Sequence, residues 1–84
     1  MPAQPVPTRP PALLVDALGR ACPLPLIDLA RAIPTVAVGE EVEVLADDPG
    51  AKPDIPAWCR MKGHEFLGAA EAEVGWRFRV RRRV

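Results

Sequence analysis

Leu13-Leu14-Val15-Asp16-Ala17-Leu18-Gly19-Arg20-Ala21-Cys22-Pro23-Leu24-Pro25 reads as a strand, a turn and the first residues of a helix, and it sets the frame for the rest of the chain. Residues 13–16 are short and apolar and run into Gly19, the pattern of a strand followed by a turn. Cys22 then stands where the helix begins, with Pro23 and Pro25 in the first helical turn. Proline at the first helical position costs little because the first amides have no intrahelical acceptor. The ring of Pro25 points at the residue 21 carbonyl, which still lies outside the helix. The two prolines fix the turn and leave the amides of Leu24 and Leu26, with the positive end of the helix dipole, to act on the Cys22 sulfur. A thiol so placed is expected to titrate below the free value of about 8.5, as a reactive thiolate.

Beyond this turn, Leu26, Leu29, Ala30 and Ile33 recur at helical spacing as a buried stripe, Asp28 and Arg31 face water, and Pro34 stops the helix. Residues 35–39 form a loop. Residues 41–46 alternate, placing Val42 and Val44 on one face of a second strand and Glu41 and Glu43 on the other. Residues 47–53 are dense in turn formers and read as a loop or one tight turn. Asp54 then N-caps a second helix with Pro56 in its first turn, with Ile55, Trp58 and Cys59 toward the core and Gly63 as the stop. Residues 64–73 and 76–83 read as two strands joined near Val74-Gly75, the second alternating Trp76, Phe78 and Val80 against Arg77, Arg79 and Arg81. The order β-α-β-α-β-β predicts an α+β fold, a two-layer sandwich with both helices on one face of a four-stranded mixed sheet.

With 84 residues the chain holds one small domain, and its 11 basic and 11 acidic residues cancel, so no global field favours nucleic acid or an anionic membrane. Residues 1–11 hold five of the eleven prolines and almost nothing to bury, which predicts a disordered, unpacked tail ahead of a domain spanning 12–84. No basic start followed by an apolar run, and no apolar stretch of membrane-spanning length, occurs in the sequence, so the expected location is cytoplasmic. Two cysteines 37 positions apart fit free thiols in a reduced compartment better than a disulfide scaffold.

The run from Asp16 to Pro25 resembles the opening signature of the TusA/SirA family of sulfur-carrier proteins. Ala46-Asp47-Asp48-Pro49, Asp54-Ile55-Pro56-Ala57-Trp58-Cys59 and Gly63-His64-Glu65 resemble later family segments in the same order, so the similarity covers about residues 13–82. The resemblance implies the same two-layer fold, and it implies that Cys22 accepts sulfane sulfur as a persulfide and passes it on. It further implies transient partners: a sulfur donor such as a cysteine desulfurase or a rhodanese-like protein, and an acceptor protein. Family members serve tRNA thiolation, molybdenum-cofactor synthesis and sulfur oxidation.

Around Cys22, Gly19, Pro23 and Pro25 are the residues expected to support the turn. Asp47 and Asp48 match the family's Asp-Pro segment, which suggests shaping of the surface near Cys22 rather than proton transfer. Cys59, mid-helix beside Trp58, has no helix end to stabilise a thiolate and reads as core. His64 reads as a polar residue beside a turn. Two cysteines and one histidine without ligand spacing give no metal site, and no cofactor is required. Pro25 stands where a resolving cysteine would sit in a thioredoxin-type motif, so the single thiol can carry but not resolve. The arginines of the last strand read as a solvated face with Glu41 and Glu43 as cross-strand partners. The competing reading is a regulatory or RNA-binding module using that arginine strand. Without interleaved exposed aromatics it lacks a stacking platform, so direct nucleic-acid binding is not expected.

Overall fold

In the computed structural model, which describes residues 7 and 9–84, β1 (Leu13–Ala17) leads into α1 (Leu24–Ala32) and a short 3-10 turn (Ile33–Thr35). Then follow β2 (Glu41–Ala46), α2 (Ala51–Lys62), β3 (Glu65–Glu71) and β4 (Trp76–Arg81). The sheet order is β1-β2-β4-β3, with β1 parallel to β2 and both β2 and β3 antiparallel to β4. This is the α+β two-layer sandwich the residue pattern predicts.

Register explains the core. Leu13, Val42, Val80 and Phe66 form one cross-strand row, and Val15, Val44, Phe78 and Ala69 form the next. Apart from Ala69, which is exposed, these rows meet the helices, where Leu29 and Ile33 of α1 and its following turn join Ile55, Trp58 and Cys59 of α2 in one buried cluster. Fully burying a side chain of this size contributes about 1.5–3 kcal/mol, so these few residues supply most of what a domain this small can gather. No helix among the described residues is long and apolar enough to cross a membrane.

Three features differ from the sequence reading. First, α2 begins at Ala51, so Asp54 lies in its first turn and is not the N-cap. The turn bonds from Ala51 N–H to the Asp48 carbonyl and from Lys52 N–H to the Pro49 carbonyl wind residues 48–50 directly into the helix. Pro53 does not prevent this, because a first-turn amide has no intrahelical acceptor to lose. Second, β3 and β4 end earlier than expected, at Glu71 and Arg81.

Third, the far face of the sheet pairs arginines with Glu41 and Glu43 as expected, but its centre is enclosed rather than solvated, and only the flanking Arg77 and Arg81 keep part of their side chains in water. Glu41 and Glu43 are buried, and Arg79 is only 2% exposed. The Arg79 guanidinium donates to Glu41 at 2.9 Å and to Glu43 at 3.0 Å, and its Nη2 also donates to the carbonyls of Arg9 at 2.9 Å and Pro7 at 3.1 Å. Arg9 pairs with Glu41 as well. The described part of the proline-rich segment therefore lies on the sheet, in contrast to the expected unpacked tail; residues 1–6 and 8 fall outside the described residues. A buried guanidinium needs acceptors for all its donors, and a proline-rich backbone offers carbonyls that no helix or strand has claimed. Deleting residues 2–10 is accordingly expected to lower stability by about 1 kcal/mol, the net worth of such hydrogen bonds once water replaces them. For a domain of this size that is a fall of about 4–8 °C in melting temperature, readable by thermal denaturation.

Candidate functional site

Gly19, Cys22, Asp47 and Asp48 come together where the β1–α1 turn meets the β2–α2 turn. Parallel pairing of β1 with β2 brings the ends of both strands side by side, Ala17 opposite Ala46, so the two following turns must share one edge. Both Asp47 carboxylate oxygens accept the Gly19 N–H, at 3.0 and 3.1 Å. Asp48 accepts the Cys22 N–H at 3.1 Å through one oxygen and the Gly50 N–H at 2.8 Å through the other. Pro23 occupies the N-cap of α1 and Pro25 its second position, buried beneath the turn; the Cys22–Pro23 peptide is cis. Gly50 has no side chain to place, and a Cβ there would stand 3.1 Å from Cys22 Cβ and 3.3 Å from its sulfur.

The Cys22 sulfur is exposed and lies 3.1 Å from Asp54 Oδ2, so the thiol donates to a carboxylate. This hydrogen bond, then partial loss of water, then the charges of Asp54 and Asp48 push the Cys22 thiol above its ordinary value. The expected thiolate-stabilising helix end is thereby overturned. A helix terminus carries about half a positive charge, whereas Asp54 brings a full negative one to hydrogen-bond distance. The Leu24 amide, moreover, is engaged by the Ala21 carbonyl at 2.8 Å.

Cys59 is 1% exposed among core residues, and burial pushes its thiol up to about 11. His64 lies beyond the far end of α2, about 18 Å along a helix of twelve residues. Its ring packs 5.4 Å from that of Trp58, its Nδ1 accepts the Arg83 N–H at 3.2 Å, and burial followed by the Arg82 charge keeps it below the ordinary histidine value. Neither residue is joined to the Cys22 cluster. Sequence reasoning missed Asp54 and Gly50 as neighbours of the sulfur. The signal was present in Asp48-Pro49-Gly50, a turn that can start a helix three residues before Asp54.

Comparison with known proteins gives a consistent picture. The family model described as Sulfurtransferase TusA matches residues 14–82. A protein of Archaeoglobus fulgidus described as a sulfur carrier is 40% identical over 70 residues, which cover 83% of this chain and 96% of the relative. YrkF of Bacillus subtilis, also described as a sulfur carrier, is 38% identical over 63 residues, covering 74% of this chain but only 34% of YrkF, so the chain corresponds to about a third of that protein. The crystal structure of a SirA-like protein from Desulfitobacterium hafniense shares the fold, with a TM-score of 0.74 at 23% identity over 86% of this chain and 99% of that one. Family model and relatives agree: the chain belongs to the TusA sulfurtransferase family, and its role is that of a sulfur carrier.

Proposed function

We propose that Cys22 is the atom-carrying residue of this sulfur carrier, receiving sulfane sulfur as a persulfide from a donor protein of the cysteine desulfurase or rhodanese-like class and handing it to an acceptor protein. One observation supports the assignment above the others. Of the two thiols in the chain, Cys22 alone is exposed, and it stands on a turn tied down by Asp48 and flanked by two prolines. Exposure permits attack by a partner's sulfur, and a fixed turn presents the thiol at one angle, which shortens the search for reactive alignment. Gly19, Pro23 and Pro25 support the turn in this reading, and Asp47 and Asp48 shape the surface beside it. Docking is transient and modest in area, since the same face must serve donor and acceptor in succession. Two free thiols suit a reducing compartment, hence the cytoplasm. tRNA thiolation, molybdenum-cofactor synthesis and other sulfur-relay routes are the destinations in view.

The RNA-binding alternative draws no support from the arginine strand. Arg77, Arg79 and Arg81 each stand within 3.8 Å of a glutamate carboxylate, and Arg79 is enclosed. The carrier reading is tested by incubating the protein with a cysteine desulfurase and cysteine, followed by mass spectrometry with peptide mapping. One added sulfur on Cys22, absent from Cys22→Ser, is the expected result. Sulfur found mainly on Cys59, or loading that survives in Cys22→Ser, would overturn the assignment.

A further inference from the structure

Asp54 reaches the reacting sulfur across 32 residues of sequence, from the first turn of α2 to the head of α1. At 3.1 Å two anions would repel strongly, so the hydrogen bond requires the proton to reside between Sγ and Oδ2. Among the described residues, none of the ion pairs involves Asp47, Asp48 or Asp54, and the one charged pair at this end of α1, Arg20–Asp28, is closed on itself. Among the described residues, the carboxylates beside the sulfur are thus held in no ion pair. Any nucleophilic step by Cys22 must first move that proton, and Asp54 is the acceptor already bonded to it.

We propose that Asp54 is a second catalytic residue of sulfur loading, a carboxylate that keeps Cys22 a thiol in the free carrier and relays its proton to the donor's departing thiolate. The inference rests on the reading of Cys22 as the sulfur-carrying residue. With a donor hydropersulfide R–S–SH, the Cys22 sulfur forms a bond to the outer sulfur while the donor's own S–S bond breaks and leaves its electron pair on the inner sulfur as R–S⁻. The Cys22 proton passes to Oδ2 and then to R–S⁻, giving Cys22–S–SH and R–SH. The sulfane sulfur keeps its oxidation state, so neither oxidant nor reductant enters. A carboxylate is a much weaker base than a thiolate, so a proton handed to one from a thiol passes on readily to a departing thiolate. The relay therefore runs only while a thiolate is departing, and an undocked carrier stays a neutral, poorly nucleophilic thiol.

Two probes separate this from a structural role. Iodoacetamide alkylation of Cys22 needs only the thiolate and returns no proton to a leaving group; loading from glutathione hydropersulfide needs both. Asp54→Asn is expected to move the pH midpoint of Cys22 alkylation downward, with the neutral-pH rate rising about threefold for each unit moved, tenfold in thiolate less the loss of intrinsic nucleophilicity. Loading of the same variant is expected to slow by about tenfold. That is less than the hundredfold lower bound usual for enclosed proton-transfer sites, because water reaches this one. Asp54→Glu, which keeps the carboxylate, should restore part of the loading rate and the higher alkylation midpoint. Alkylation and loading that both slow in Asp54→Asn would make Asp54 a structural prop, and both accelerating would make it a charge that merely restrains the thiol; either overturns the relay. If Cys22→Ser still loads, the carrier assignment fails instead, while the alkylation arm still reads the Asp54–Cys22 bond.

Discussion

Arg79→Ala is expected to destabilise the protein by about 3–5 kcal/mol, the cost of removing one partner from a buried charge cluster and leaving the others uncompensated. Small domains hold only about 5–15 kcal/mol in all, so the variant should sit near the edge of folding. Glu41 and Glu43 would remain in the sheet's far face without the guanidinium that now bridges them, and the carbonyls of Pro7 and Arg9 would lose their donor. The pH dependence gives a second check. Burial alone would push the Glu41 carboxyl up, but hydrogen bonds from Arg81, Arg9 and Arg79 and the charge of Arg9 hold it below its ordinary value. A carboxyl depressed in the folded state contributes stability that is fully present above its unfolded value of 4.5 and is lost as pH falls through the folded one. Without Arg79 that depression weakens, so the stability gap between wild type and variant should narrow on acidification. Urea denaturation at pH 7 and again below pH 4 reads both effects; a loss under 1 kcal/mol at pH 7 would show that water enters and solvates the glutamates.

Gly75→Ala is expected to cost about 3 kcal/mol or more. Gly75 turns the chain between β3 and β4 at φ 68°, which alone is unfavourable for alanine by about 1 kcal/mol. A Cβ there would also stand 2.3 Å from the Ala46 carbonyl oxygen and 2.8 Å from Asp47 Cα, both backbone atoms that cannot rotate away. Relief requires moving the end of β2, where Asp47 and Asp48 hold Gly19 and Cys22, so the variant should lose sulfur loading together with stability. Gly39→Ala is the internal control: its φ is 95°, yet nothing lies within 4 Å of the added carbon, so only the conformational cost of about 1 kcal/mol applies. Equal losses in the two variants, measured by thermal melts, would show that the β2 end yields freely.

The fold was legible because its signals are local and periodic. Val42 and Val44 alternate with Glu41 and Glu43, Phe78 and Val80 alternate with Arg79, and Pro34 and Gly63 mark where helices stop. Cys22 was legible because its neighbours in sequence, Pro23 and Pro25, are also its neighbours in the turn. Its chemistry was not, because the decisive group arrives from α2 and is placed by a helix start that breaker-rich residues conceal. Asp followed by Ile-Pro matches a cap, and only the backbone path of residues 48–50 shows that the helix is already under way. The far face hid for a related reason. Alternation tells which side of a strand a residue faces, but not whether that side is later covered, and the cover here is a proline-rich segment with no periodicity of its own.

Sheet order carries a consequence for synthesis. The strand that fills the gap between β2 and β3 is β4, which follows every other element along the chain. A polypeptide emerging from its amino end can pair β1 with β2, but β2 keeps one open hydrogen-bonding edge and β3 has no neighbour until residues 76–81 appear. A nascent chain that has not yet reached β4 thus displays unpaired apolar strands, the form most prone to associate with other copies, and that exposure falls abruptly once residues 76–81 take their place.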